Sequence, residues 1–239
     1  HPLYNMERFP KTVQDFLDGQ ILLINKPLGW TSFEVVKKIK NLIRTKYSLK
    51  KLKVGHAGTL DPLASGLLIV CTGKFTKRIS ELQGQAKVYT GDITLGGTTA
   101  SYDLETEIDT KFETNHISEK LIKETTAQFI GEIEQKPPIF SALKRGGERL
   151  YEKARRGERF EIEARKVNVH SFDIITIKMP KVSFKIKCSK GTYIRSIARD
   201  FGAALNCGAH LSKLCRTNIG DYQLANSLDV SDFEKQLNS

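Results

Sequence analysis

The chain has 239 residues, enough to bury a sizeable core in one domain with room for an insertion. Its composition is that of a soluble globular protein, but 38 Lys and Arg against 27 Asp and Glu leave a formal net charge of +11. No apolar run approaches the length of a membrane span, and neither a leader pattern nor a basic amphipathic helix stands out. The excess charge therefore points to nucleic acid before membrane, and to the cytoplasm. Cys71, Cys188, Cys207 and Cys215 show neither Cys-x-x-Cys spacing nor a pairing with His, so they read as reduced thiols and no metal site is expected. Residues 1–8 are set aside as a tag remnant or disordered segment, because His1 to Asn5 precede Met6.

In chain order, Ile21-Leu22-Leu23-Ile24-Asn25 predicts a strand, closed by Lys26-Pro27-Leu28-Gly29. Thr31 and Glu34 have capping-box spacing, and Phe33, Val36, Ile39 and Ile43 share a face, which predicts a helix to about Ile43. A turn-rich stretch follows, Val54-Gly55-His56-Ala57-Gly58-Thr59-Leu60-Asp61-Pro62-Leu63-Ala64-Ser65-Gly66, and then the uncharged run Leu67 to Cys71, which reads as a buried strand. Pro62 biases Asp61 toward extended backbone, although a lone Asp-Pro pair most often marks a helix start or a plain turn. A carboxylate on a rigid loop beside a core strand is a sound place for a catalytic group, because the scaffold holds it still.

Lys74, Lys77 and Arg78 lie on a short amphipathic segment, and residues 87–96 alternate as a strand containing Tyr89. Residues 118–130 predict a helix with Leu121, Ile122, Thr125 and Phe129 at core spacing and Gly131 just after it. Between Lys136 and Lys166 ten basic and five acidic residues give a net +5, with glycines and the aromatics Phe140 and Tyr151 interleaved. That pattern fits either an exposed helical hairpin or a loop that grips RNA through phosphate contacts and stacking. Strand alternation resumes at 165–172 and 182–188, after which Ile194, Ile197, Ala198 and Phe201 predict a helix from near Tyr193. Arg195 falls off that stripe in the first turn, where the helix dipole disfavours a cation and a carboxylate partner is welcome.

The string Gly-His-Ala-Gly-Thr-Leu-Asp-Pro-Leu-Ala-Ser-Gly at 55–66 resembles the signature of the TruB family of pseudouridine synthases. Further stretches resemble the family's other motifs in the same order, from about residue 20 to 220. These are Asn25-Lys26-Pro27 with Thr31-Ser32, the segment from Tyr89 to Asp103, Lys190-Gly191-Thr192-Tyr193-Ile194-Arg195, and His210 to Thr217. The resemblance implies an α+β pseudouridine synthase fold: a mixed, mainly antiparallel sheet flanked by helices, one catalytic domain over 1–239, with a basic thumb insertion at about 136–166. It implies isomerisation of uridine to pseudouridine in tRNA, with position 55 of the T loop as the expected site.

By the same resemblance Asp61 is the nucleophile and Arg195 its partner, while Tyr89 stacks on the target uracil and is a candidate for moving a proton. Tyr193 and Leu214 line the base pocket, and His56 helps to open the RNA loop. Lys77 aligns with a motif lysine, and Arg155 and Arg156 belong to the thumb that grips phosphates. Uridine and pseudouridine are isomers, so no cofactor or metal is expected. The expected partner is the T arm of tRNA, bound by a monomer with no obligate protein partner. Family members often continue into a C-terminal PUA domain, and roughly twenty residues follow Thr217, so the chain is expected to lack one. The alternative is a tRNA-folding helper whose grip matters more than its turnover. A glycosidase-like hydrolase is disfavoured, because only one well-supported catalytic carboxylate is visible where two are usual.

Overall fold

The computed structural model describes residues 9–139, 152, 155–157 and 161–239, together with the backbone of 144–145 and 148–149. Phe140 and Tyr151 lie outside the described residues, as does most of the centre of the expected thumb. The chain divides into two compact units, His1–Tyr89 with Cys215–Ser239, and Thr90–Leu214.

In the first unit, Gln20–Lys26 pairs antiparallel with Ala64–Thr72 over seven residues, from Gln20 opposite Thr72 to Lys26 opposite Gly66. Leu228–Asp229 adds a short parallel strand on one side, and Val54–His56 pairs antiparallel with the far end of Ala64–Thr72. The two-residue period of a strand sends alternate side chains to opposite faces, and both faces here are covered. Leu22, Ile24, Leu68 and Val70 pack with Val35, Ile39 and Ile43 of the helix Ser32–Tyr47 and with Val230, Phe233 and Leu237 of the helix Val230–Leu237. Ile21, Leu23, Leu67, Ile69 and Cys71 pack on the other face with Ala57, Leu82 and Ile219. This double cover explains why the run from Leu67 to Cys71 is apolar without alternation.

The expected capping box forms: the Thr31 hydroxyl accepts from the Glu34 N–H at 3.0 Å while Glu34 accepts from the Thr31 N–H. The helix runs four residues past Ile43, to Tyr47, and its buried stripe is Ser32, Val35, Ile39 and Ile43. Phe33, expected on that stripe, is 70% exposed, because the 35-39-43 spacing sets the inward face and places Phe33 off it.

In the second unit, Arg165–Lys178 and Lys181–Cys188 form an antiparallel hairpin, and Gly131–Gln135 pairs antiparallel with residues 165–169. The helix Ile194–Ala204 starts where the pattern placed it and buries Ile194, Ile197, Ala198 and Phe201. Phe201 meets Phe172 at a centroid distance of 5.4 Å and Phe129 at 5.9 Å, and Phe172 in turn meets Phe184 at 6.2 Å. Each such buried ring contributes roughly 1.5–3 kcal/mol.

The helix expected over 118–130 is α-helical only over Glu119–Thr125, tightens to a 3-10 turn over Thr126–Phe129, and leaves Leu121 exposed. The Thr125 and Thr126 hydroxyls donate back to the carbonyls of Leu121 and Lys123, at 2.6 and 2.8 Å, a competition that short polar side chains bring to a helix end. Cys71, Cys188 and Cys207 are buried and Cys215 is partly so, all as thiols. No helix among the described residues is long and apolar enough to cross a membrane.

Candidate active site

Asp61 lies on the segment between Val54–His56 and Ala64–Thr72. It opens a tight turn, with its carbonyl accepting from the Ala64 N–H at 2.9 Å and Pro62 at the second position, where a fixed φ suits a turn. The non-helical expectation for Asp-Pro is therefore met. Side chains and main chain from elsewhere in the same unit hold this segment. The Ser32 hydroxyl, buried at the start of its helix, accepts from the Leu60 N–H at 2.9 Å and donates to the Leu60 carbonyl at 3.0 Å. The Gly29 N–H donates to the Pro62 carbonyl at 2.7 Å. Arg216, fully buried, donates from Nε to the Leu67 carbonyl at 2.9 Å, from Nη2 to Gly58 at 3.1 Å and from Nη1 to Thr59 at 3.5 Å. Gly66, at φ +115°, could not be another residue, since a Cβ there would come within 2.3 Å of the Arg216 carbonyl oxygen.

A second buried cation sits close by. Lys26 donates to the carbonyls of Pro27 and Trp30, at 2.9 and 2.5 Å. Burial pushes its ammonium down to about 8; the negative charges of Asp61 and Glu34 pull the other way, and Arg216 adds to the depression. His56 is likewise lowered from the usual histidine value, first by burial, with an interaction with the Gly58 backbone opposing and Arg216 reinforcing. It is therefore neutral at neutral pH, and its buried Nδ1 has no hydrogen-bond partner among the described residues. Burial pushes the nearby core thiol of Cys71 up to about 11, so it is not a nucleophile at neutral pH.

Tyr89 is buried on the same face of its strand as Lys87, whose ammonium donates to the Gln83 carbonyl. Lys77 is exposed and lines a cavity of about 370 Å³ with Lys51, Lys53 and Lys74, while Asp61 is not among the lining residues.

The remaining expected residues belong to the second unit. Tyr193 caps the helix Ile194–Ala204, and the buried Gln135 amide grips its backbone on both sides, accepting from the Tyr193 N–H at 2.6 Å and donating to its carbonyl at 3.4 Å. The Ser196 hydroxyl ties the same turn to the Lys136 carbonyl at 2.7 Å. Arg195, expected off the buried stripe, is 5% exposed, so this first turn is buried on more than its apolar side. Leu214 is half-buried, and Arg155 and Arg156 are exposed. Arg155 lies 3.8 Å from Glu105.

Ser32, Lys26, Arg216 and Gln135 were given no role at the site from the sequence, although the first three fall inside the motif stretches. Lys26 is a charged residue at the end of a strand that otherwise buries apolar side chains, a sequence cue to its burial that Arg216, in a strand with an exposed Lys213 and a buried His210, does not share.

The chain is similar over 98% of its length to a chain in a solved Cbf5-Nop10-Gar1 complex, with a TM-score of 0.69 and 28% identity, and it covers 59% of that chain. It is similar in the same way to a chain in an H/ACA RNP bound to a substrate RNA containing 2'-deoxyuridine, with a TM-score of 0.68, 25% identity and coverage of 98% and 58%. The fold class is that of the pseudouridine synthases, α+β and mainly antiparallel. The model of the TruB family pseudouridylate synthase N-terminal domain matches residues 44–194, and that of the tRNA pseudouridylate synthase B C-terminal domain matches 195–238. A tRNA pseudouridine synthase B of Flavobacterium johnsoniae is 61% identical over 227 residues, covering 95% of this chain and 99% of that protein. One from Phocaeicola vulgatus is 50% identical, covering 93% and 95%. The chain belongs to the TruB family of pseudouridylate synthases.

Proposed function

We propose that this enzyme converts uridine to pseudouridine in the T loop of tRNA, at position 55, with Asp61 as the nucleophile. The observation that carries the reading is a carboxylate on a turn whose preceding residues are tied to the buried side chains of Ser32 and Arg216 and whose following residue is tied to the Gly29 N–H, within a family of pseudouridylate synthases. The bond from N1 to C1′ breaks, the base turns, C5 bonds to C1′, and the C5 proton leaves while N1 regains one; nothing is oxidised or reduced. The Asp61 carboxylate serves by stabilising positive charge at C1′ or by forming an adduct.

Arg195 orients the carboxylate through a planar fork of donors. The target base must leave its stack before it can react. Tyr89, Tyr193 and Leu214 form the walls that receive it, and Tyr89 is a candidate to move the C5 proton. His56, neutral in the folded chain, helps to open the RNA loop. Lys77, Arg155 and Arg156 meet phosphates. The enzyme acts as a monomer in the cytoplasm on the T arm.

The test is Asp61→Asn, assayed by release of C5 hydrogen from unmodified tRNA and by RNA affinity. Turnover is expected to vanish while affinity stays within about tenfold, roughly 1.4 kcal/mol. Residual turnover above a few per cent would overturn the assignment of Asp61. Pseudouridine appearing elsewhere than the T loop would overturn the site.

A further inference from the structure

Arg216 has no part in the chemistry described above, yet it is among the largest fully buried side chains of the protein. Burying a guanidinium costs several kcal/mol unless its donors are satisfied, and a carboxylate is the usual partner. Here the hydrogen bonds go to three main-chain carbonyls instead. Two of them, on Gly58 and Thr59, precede Asp61 by three and two residues, and the third, on Leu67, follows it by six. One planar side chain therefore spans both ends of the segment that carries the carboxylate. Its own backbone closes the arrangement, since Gly66 packs against the Arg216 main chain too closely for any Cβ. A lysine in its place offers a point charge and cannot hold three divergent carbonyls at these positions.

We propose that Arg216 is the positioning residue of the Asp61 loop: its guanidinium sets the Gly58–Thr59 backbone against Leu67, and through it the place of the carboxylate. The proposal rests on Asp61 being the nucleophile, and it adds that loop order limits the chemical step. A displacement of about 1 Å at a reacting group costs on the order of a hundredfold in rate.

The experiment uses the full chain with unmodified tRNA and compares wild type with Arg216→Lys and Arg216→Gln. Three quantities are read: the single-turnover rate at saturating enzyme, the RNA Kd, and amide hydrogen exchange. The Ala64 amide, bonded to the Asp61 carbonyl within the loop, and the Leu60 amide, bonded to the Ser32 hydroxyl outside it, report its order. In wild type these two amides are expected to be protected. In Arg216→Lys the rate falls on the order of a hundredfold, the Kd stays within about threefold, and loop exchange accelerates while the strand Gln20–Lys26 keeps its protection. Arg216→Gln behaves the same way or worse.

A folded Arg216→Lys variant with a near-wild-type rate overturns the proposal. So does protection that falls equally across the unit, which would make Arg216 an anchor of the core. If neither variant folds, the wild-type measurement decides, because freely exchanging Leu60 and Ala64 amides mean that nothing pins the loop. Activity retained in Asp61→Asn would remove the nucleophile reading and leave the exchange result standing, so the two failures are distinguishable.

Discussion

Two stretches of this chain are interrupted by glycines, and among the described residues their polar groups are treated in opposite ways. In the Gly55–Gly66 stretch the backbone is fastened by buried side chains: Ser32 on Leu60, Arg216 on Gly58 and Thr59, with the Gly29 N–H on Pro62. In the basic stretch that begins at Lys136, the described cations are on the surface, and the contact between Arg155 and Glu105 joins side chains 60% and 41% exposed. A buried hydrogen bond fixes a position to a fraction of an ångström, because leaving either partner unmet is costly. An exposed charge fixes little but is felt by a polyanion at long range. The first treatment suits bond making; the second suits RNA capture. Substitutions in the first stretch should therefore change rate at constant affinity, and those in the second should change affinity at constant rate.

The sharpest way to break that contrast is Ser32→Ala. It leaves the buried N–H and carbonyl of Leu60 unmet, a cost of roughly 1–3 kcal/mol. The single-turnover rate is expected to fall by ten- to a hundredfold, as misplacement of the nucleophile requires, while the Kd moves by less than about threefold. Rapid-quench kinetics beside a binding titration give both numbers. An intact rate, or a loss shared with affinity, would mean that the clamp does not serve the chemistry.

Lys26 provides a second and smaller test, because its charge is held in the same interior. Its folded-state value of about 8 lies below the 10.5 of a free lysine. Between those values the unfolded chain keeps a proton that the folded chain has released, so stability rises with pH across this window. Integrating from pH 7 to 9.5 gives a gain of about 2 kcal/mol for wild type that Lys26→Met lacks. Urea unfolding of both proteins at the two pH values measures the difference. An equal pH response in the two would show that Lys26 titrates as a free lysine and is not held as the structure describes.

Much of the fold was legible because it follows from local periodicity. The stripe of Ile194, Ile197, Ala198 and Phe201, the capping box at Thr31 and the uncharged run before Cys71 each translate directly into an element. Phe33 and Leu121 were misplaced because a one-dimensional stripe leaves its phase open, and packing partners distant in sequence choose the phase. At the site, the Asp61 turn could be read from Pro62, and the roles of the motif residues came from resemblance. The clamps could not be read in this way. Ser32 reaches Leu60 across 28 residues, and Arg216 reaches Gly58 across 158. Nothing in the local pattern of either residue announces such a contact.

The smallest effect tests the other half of the contrast. Neutralising Arg155 and Arg156 together, as Gln, should leave the single-turnover rate at saturation unchanged and weaken binding. The dependence of log K on log salt should flatten by up to about two units, roughly one for each phosphate that is no longer neutralised. The structure supplies a competing use for Arg155, which lies 3.8 Å from Glu105. An exposed pair of this kind contributes about 0–1 kcal/mol, so a phosphate can displace it. On that account Glu105→Gln, which removes the carboxylate charge beside Arg155, tightens RNA binding slightly and leaves the salt slope intact. If the arginines serve only their own surface, the double variant keeps both the affinity and the slope of wild type. The stretch around them would then be a solvated face, and RNA capture would have to rest on cations elsewhere, with Lys77 and the lysines that line its cavity the first to examine.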